Sequence, residues 1–499
     1  MPAAPSVAII GAGFGGVATA VQARRAGIEN IVILDRAARV GGVWEANTYP
    51  GAACDVPSHL YSLSFAPNPR WTRRFSPQPE IRAYLEGVVR DFGLEPLLRL
   101  GQDVVAATWD EQAGRWQLEV EGGPDVECDV LIPACGQLTR PSVPDLPGID
   151  AFAGDAFHSA WWDHDVDLRG RRVAVVGTGA SAIQFVPEIA PLARSVSVFQ
   201  RSAPWTLPKF DTAYRGVAQR LYERSPRIQG ALRSAWREPL ESLAPVLPGP
   251  PPLRARASSA LTTALSDLQR RVQFRGDPAL RAATRPDYPL GCKRVLITTD
   301  WYRALGRPDV ELVTSPIDEV RADGILSADG RLHEADVVIF GTGFTATQFL
   351  APMEVTGRDG ASLRATWADG AEAYFGMTVP RFPNMFVIYG PNTGHGTGSA
   401  IDMLEAQAGY VAQALALLRS GAADRLEVRE EVHDGFQREL AERLQSTVWT
   451  SGCGSWYVND AGRVTANWPG MPGEYLRRTA RLDVADFRTS AATAAAAPA

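Results

Sequence analysis

The stretch Val7-Ala8-Ile9-Ile10-Gly11-Ala12-Gly13-Phe14-Gly15-Gly16 decides how this chain folds. Its first four residues form a short apolar run suited to a buried strand. The glycines that follow have the spacing G-x-G-x-x-G. Gly11 permits a tight turn, Gly13 lets the backbone approach a pyrophosphate, and Gly16 lets the next helix pack close to the strand. VATAVQARRAG then reads as a helix and IVILD as a second buried strand. Strand, glycine turn, helix, strand is a βαβ unit, and its helix N-terminus offers a positive dipole end to phosphates. Asp35 ends the second strand 24 residues after Gly11, where a carboxylate can bind ribose hydroxyls.

The pattern recurs from Arg172. VAVV leads into Gly177-Thr178-Gly179-Ala180-Ser181-Ala182, the G-x-G-x-x-A form, then an apolar helical stretch and the strand VSVFQ. Gly177, Gly179 and Ala182 take the parts of Gly11, Gly13 and Gly16. The second strand ends at Phe199-Gln200-Arg201 with no acid at the ribose position. An arginine pairs with a 2'-phosphate that a carboxylate would repel. Arg201, with Lys209 close behind, therefore favours NADPH over NADH; the plainer alternative is a surface arginine with no cofactor role. Two such units imply two nucleotide-binding folds, not a short-period repeat array.

Between them, TWDEQAGRWQLEVEGG alternates polar and apolar residues around a turn and predicts a β-hairpin. DVLIPACG returns as a buried strand, and the three prolines of RPSVPDLPG mark an interdomain linker. From Asp211 to about Arg285 the composition is helical, broken by PVLPGPPP, with no strand evident. This insert either caps a substrate pocket or fills out the second unit; the sequence leaves both open. ADVVIFGTGF is a buried strand ending in glycines, the return crossing to DVLIPACG.

The chain has 499 residues, too many for one compact core, so two or three domains are expected. A net charge of -6 gives no electrostatic case for nucleic acid or an anionic membrane. No apolar run is long enough for a membrane helix. MPAAPSVAII lacks a basic region before an apolar core, so no signal peptide is expected, and the Ala-rich stretch from Thr489 reads as a frayed tail. Five cysteines, at 54, 128, 135, 292 and 453, contain no C-x-x-C, so neither a disulfide framework nor a zinc site is expected. A reducing cytoplasm fits this usage best. His59, His164, His333, His395 and His433 show no metal-ligand spacing, so no metal is assigned.

Further motifs go beyond nucleotide binding. Gly41-Gly42-Val43-Trp44 runs to Tyr49-Pro50-Gly51 and Cys54-Asp55, which resembles flavin monooxygenases carrying G-G-x-W and Y-P-G-x-x-x-D. Phe152 to Asp163, FAGDAFHSAWWD, matches F-x-G-x-x-x-H-x-x-x-W-[PD], the fingerprint of type I Baeyer–Villiger monooxygenases. Five fixed positions over twelve residues make this specific, and it lies between the two glycine motifs, as in that family. Cys292-Lys293-Arg294 resembles the family segment that carries the active-site arginine. GTGF at Gly341 to Phe344 resembles its A-T-G-F crossing, with glycine for alanine. Ser455-Trp456-Tyr457 and Asn467-Trp468-Pro469-Gly470 resemble the loop that covers the bound nicotinamide nucleotide. ACG at Ala134 to Gly136 departs mildly from the first A-T-G.

The resemblance covers nearly the whole chain. It implies an α/β protein of two doubly wound, Rossmann-like dinucleotide-binding domains with a helical insert. Residues 1–145 and 345–499 are expected to form the FAD-binding domain, and 146–344 the NADP-binding domain, with the insert at about 211–285. It implies that NADPH reduces FAD, that O2 adds at the flavin C4a position, and that the resulting peroxide attacks a ketone to give an ester or lactone. A peroxide anion needs a fixed cation, and the Arg294 guanidinium does not deprotonate. Asp55 is expected to hold Arg294 through a bidentate pair. Gly42, Trp44, Asp55 and Lys293 are expected among the cofactor-binding residues, and Trp456 is expected to cover NADP. His158 is expected to pack and hydrogen-bond at a domain junction, and Cys54 and Cys292 to be small packing groups. The rival reading is an N- or S-oxygenating flavin monooxygenase, which needs no arginine. Disulfide reduction lacks a redox-active cysteine pair in the sequence, and a non-catalytic flavoprotein would not keep every motif together. The ketone and the oligomeric state are not legible.

Overall fold

The computed structural model describes residues 4–242, 253–396 and 398–489. Val7–Ile10 lies between Ile31–Asp35 and Val130–Pro133 in a parallel sheet whose far edge is Leu98–Leu100. All four residues of Val7–Ile10 are buried. Val7 and Ile9 face one core, with Val17, Val21 and Tyr410. Ala8 and Ile10 face another, with Trp109, Trp116 and Phe382. Covered on both faces, the strand is apolar throughout instead of alternating, as parallel sheets require.

The second unit repeats this plan. Its five parallel strands run Val310–Val313, Ser195–Phe199, Arg172–Val176, Val337–Phe340, Asp155–His158 across the sheet. Val173 and Val175 pack against Ile183, Phe185 and Trp301, whereas Ala174 and Val176 face Phe199 and Phe340. The fingerprint Phe152 to Asp163 forms the edge of this sheet. A Cβ on Gly154 would stand 2.2 Å from the Asp336 carbonyl oxygen, so only glycine fits where the edge strand starts. His158 is buried and its Nδ1 accepts the Ala160 N–H at 3.0 Å. Trp162 packs its edge on Phe157 and tilts over Phe185.

The C-terminal segment returns to the first sheet. Phe386 N–H donates to the Leu131 carbonyl at 3.0 Å and Ile388 N–H to Pro133 at 2.8 Å. Glu354–Thr356 pairs in parallel with Asp103–Asp110, the first strand of the hairpin completed by Arg115–Glu121. The helix Ala400–Ser420 packs across Phe14–Arg25. A Cβ on Gly15 would come 2.9 Å from Ile388 Cγ2 and 3.3 Å from Leu404 Cδ2, so glycine allows this approach.

The expected insert is helical: Gly216–Arg224, Pro226–Ser242, Leu253–Gln273 and Pro278–Ala283. None of its described residues lines the large cavity below, so the pocket-capping expectation finds no support there. Its two halves serve different units. Arg233 and Arg237 pair with buried Asp402, at 2.6 and 2.8 Å, docking Pro226–Ser242 onto the first unit. Leu253–Gln273 fills out the second unit and turns polar residues inward: Ser266, Gln269 and Arg270 are buried and Leu261 and Leu268 exposed. Gln269 Nε2 donates to the Thr298 carbonyl at 2.7 Å. The proline-rich break PVLPGPPP and the tail beyond Thr489 lie outside the described residues. No helix among the described residues is long and apolar enough to cross a membrane.

Candidate active site

Both glycine turns open onto one cavity of about 1510 Å3. Gly11 (φ +114°) and Gly177 (φ +109°) adopt backbone conformations that disfavour a side chain. A Cβ on either would sit 2.5 Å from a carbonyl oxygen of a crossing strand, Ala134 for Gly11 and Gly341 for Gly177. A Cβ on Gly16 would lie 1.9 Å from the Gly11 oxygen, which fixes glycine where helix meets turn. Gly13 faces Gly42 across 3.5 Å from a Cβ position to Cα, and a side chain on Gly13 would fill the space that a pyrophosphate needs. Gly41 N–H donates to the Ala12 carbonyl at 3.1 Å, stacking the G-G-x-W loop on the first turn. Trp44 lines the cavity, with Nε1 donating to the Tyr61 hydroxyl at 3.0 Å. Asp35 also lines it, yet both its oxygens accept backbone N–H groups, from Ala12 at 2.7 Å and Ala37 at 2.8 Å. It therefore holds the glycine turn as well as facing the cavity.

The structure brings Asp55 and Arg294 together from 239 residues apart. Arg294 Nε donates to Asp55 Oδ2 and Nη2 to Oδ1, both at 2.8 Å. This planar fork is the strong form of an ion pair. Asp55 is positioned by its neighbours: Cys54 N–H donates to the Ser76 carbonyl, and Gln184 Nε2 donates to the Ala53 carbonyl at 2.9 Å. Arg294 stands before Leu296–Ile297, which pairs in parallel with Thr206–Leu207. Burial alone would raise the Asp55 carboxyl, but the charge and hydrogen bonds of Arg294 outweigh it and hold the carboxyl below its ordinary range. The Asp55 charge in turn raises Arg294 further still, so the cation is permanent.

Arg201 and Lys293 line the cavity beside the second glycine turn. Lys293 Nζ donates to Ser202 Oγ at 3.0 Å and lies 4.6 Å from the Tyr288 ring centroid. Burial, and then the Arg201 charge, lower its pKa. Lys209, expected beside Arg201, corrects that expectation. It does not line the cavity; its Nζ lies 5.5 Å from the Phe75 ring, and the charges that act on it include Asp211, Arg73 and Asp55. The short strand Thr206–Leu207 carries the chain away from Arg201 before Lys209 is reached.

Trp456 lines the cavity, 40% exposed, against buried Tyr457. Burial pushes the Tyr457 phenol up to about 12, with Arg294 opposing it. Tyr389 also lines the cavity within reach of the Arg294 charge. Sequence reading overlooked Tyr389 and Gln184, which carry no motif of their own. Gln184 joins the units, its Oε1 accepting from the Tyr49 hydroxyl at 3.0 Å; its place in the first turn of the helix after the second glycine motif was the available signal. The cysteine expectation is overturned as well. Cys292 and Cys453 form a disulfide across 161 residues, whereas Cys54, Cys128 and Cys135 are free. No C-x-x-C spacing announces such a pair, because folding alone makes them neighbours. His158 does not line the cavity. No group of three or more His, Cys, Asp or Glu among the described residues is placed to hold a metal ion.

The profile of the pyridine nucleotide-disulphide oxidoreductase family matches residues 5–234. A Baeyer-Villiger monooxygenase of Streptomyces coelicolor is 44% identical over 489 residues, covering 97% of this chain and 92% of the relative. The cyclohexanone monooxygenase of Rhodococcus sp. Phi1, solved bound to NADP+, superposes with a TM-score of 0.86 at 26% identity, covering 99% of this chain and 100% of that one. OTEMO, solved in complex with FAD and NADP, superposes with a TM-score of 0.85 at 26% identity over 98% of this chain and 100% of its own. With the two glycine turns, the fingerprint strand and the near full-length relatives in agreement, the chain belongs to the Baeyer–Villiger monooxygenase family.

Proposed function

We propose that this oxidoreductase holds FAD and NADPH in the cavity between its two glycine turns and inserts one atom of O2 beside a ketone carbonyl, giving an ester or lactone. The observation that carries the reading is the bidentate Arg294–Asp55 pair, in a cavity that both turns share. The residues fit the two nucleotides, since space that side chains would fill is kept open at Gly13 and Gly42 on the first turn and at Gly179, which lines the cavity, on the second. The N-termini of Phe14–Arg25 and Ala182–Ile189 would offer their positive dipole ends to the pyrophosphates. Gly42, Trp44 and Asp35 lie on the FAD side, and Arg201 with Lys293 takes the 2'-phosphate that distinguishes NADPH. When bound, NADPH supplies two electrons and FAD activates O2.

The protein's own work is orientation and charge. Arg294 presents donors to the ketone oxygen as negative charge builds on it, already fixed by Asp55 and needing no reorganisation. Tyr457 and Tyr389 stay protonated beside it, and Trp456 and Tyr457 keep water from the reacting carbonyl. We assign residues 1–145 with 345–499 to the FAD domain and 146–344 to the NADP domain, in keeping with the two parallel sheets. We place the reaction in the cytoplasm, where NADPH is regenerated.

The test is purified, FAD-loaded protein with NADPH and labelled O2 against linear, cyclic and aryl ketones and one sulfide. Esters or lactones heavier by one labelled oxygen are expected. Sulfoxide as the sole product would move the chain to the heteroatom-oxygenating enzymes.

A further inference from the structure

The disulfide joins two segments that both wall the cavity. Cys292 immediately precedes Lys293 and Arg294, and Cys453 lies three residues before Trp456. The second segment has little else to hold it. Gly452 (φ +79°) and Gly454 (φ +59°) flank Cys453, and a Cβ on either would meet nothing within 4 Å. None of the N–H groups from Gly452 to Trp456 donates a backbone hydrogen bond among the described residues. The segment is anchored at its far end, where Thr465 N–H donates to the Tyr457 carbonyl at 3.1 Å. Between the end of the preceding helical turn at Thr450 and Ser455, the ties to the Arg294 loop are the covalent link from Cys453 to Cys292 and the 3.2 Å contact of Ser451 Oγ with the Cys292 sulfur.

The two sulfurs are unequally placed. Cys292 is fully buried, whereas Cys453 keeps partial exposure. An incoming thiolate therefore reaches the Cys453 sulfur first. In a reducing compartment a protein disulfide is usually catalytic or sensory, and neither cysteine has a part in the oxygenation described above.

We propose that Cys292 and Cys453 form a thiol–disulfide exchange site, taking a dithiol or low-molecular-weight thiol as its partner, that sets whether the Ser455–Tyr457 segment is held over the coenzyme. In reduction, a thiolate attacks the Cys453 sulfur, the bond between the two cysteines breaks, and the Cys292 thiolate leaves and takes up a proton. A second thiol then resolves the mixed disulfide. Two electrons pass from the reductant, which becomes a disulfide, and two protein thiols result. A peroxide reverses the change, with two thiols and one H2O2 giving the disulfide and two waters. Oxidised, the segment is stapled to the loop that carries Lys293 and Arg294 ahead of Leu296–Ile297. Reduced, it turns about Gly452 and Gly454 and exposes the cavity mouth. The proposal rests on reading the cavity as the coenzyme site.

The experiment compares FAD-loaded enzyme before and after treatment with a dithiol. Thiols are counted in denaturant, NADP+ affinity is titrated, and Trp456 emission is isolated by subtracting a Trp456→Phe variant. Three thiols before treatment and five after are expected, from five cysteines of which three are free. Reduction should raise the NADP+ dissociation constant roughly five- to tenfold, an ordinary coupling between a cover and its ligand, and change the Trp456 signal. Cys453→Ser should behave as the reduced enzyme and ignore the dithiol; the untreated wild type guards against a folding defect in that variant. Five thiols without reductant, or an unchanged affinity and Trp456 signal on reduction, would overturn the proposal. Failure to oxygenate any ketone in both redox states would count against the proposed function alone, because thiol number and NADP+ binding are read without a ketone.

Discussion

Replacing Arg294 by alanine separates the oxygen-inserting role of this site from its nucleotide-holding role. The guanidinium makes two charge-assisted bonds of 2.8 Å to Asp55, with side-chain exposures of 30% and 26% that face the cavity. Removing one preorganised donor to a developing oxyanion costs about 2.7–4 kcal/mol, or roughly a hundred- to a thousandfold in rate. Ester formation in Arg294→Ala should fall by at least that factor. NADPH oxidation should stay within about threefold, because Arg201 and Lys293 are untouched. Stability should fall too, since Asp55 keeps its charge and loses its partner. Breaking a fully buried pair costs about 3–5 kcal/mol, and the cavity-facing exposure here reduces that to about 2 kcal/mol. Adding Asp55→Ala removes the orphaned carboxylate, so the double variant should recover part of the stability and none of the activity. Product analysis, coenzyme oxidation and urea unfolding read the three quantities. Ester yield within tenfold of wild type at unchanged coenzyme oxidation would refute the role assigned to Arg294.

Other substitutions test neighbouring parts of the argument. Gly16→Ala places a methyl 1.9 Å from the Gly11 oxygen, so the purified protein should lose most of its flavin, measured by absorbance at constant protein. Losing one charged contact to a 2'-phosphate costs about 1.5–3 kcal/mol. Lys293→Ala should thus raise the KM for NADPH roughly ten- to a hundredfold and leave that for NADH nearly unchanged, whereas Lys209→Met should leave the NADPH-to-NADH preference as it is. Because Arg294 holds the folded Asp55 carboxyl below the ordinary value of 3.8, its stabilising contribution is complete above that pH and is lost as pH falls through the folded value. The difference in unfolding free energy between wild type and Asp55→Asn should be flat from roughly pH 5 to 8 and shrink below about pH 4; a difference that grows on acidification would contradict the pairing.

The sequence by itself determined the parts whose physics is local. A strand buried on both faces must be apolar throughout, and Val7–Ile10 and the Val173 to Val176 run of the second unit announce it. A turn that brings a carbonyl within 2.5 Å of a would-be Cβ must be glycine, and Gly11 and Gly177 announce that. The fingerprint around Gly154 and His158 is equally local, an edge strand followed by a capped turn. Only the tertiary structure decided which charges meet. Lys209 is nearer to Arg201 in sequence than Lys293 is, yet a two-residue strand carries Lys209 to the Asp55 side, and pairing of Leu296–Ile297 with that strand brings Lys293 back. The insert reads as a lid or a filler until Arg233 and Arg237 find Asp402. Cys292 and Cys453 carry no spacing signal across 161 residues. Contacts between distant segments depend on how the chain crosses between its two sheets, and composition and periodicity record only the local environment of each residue.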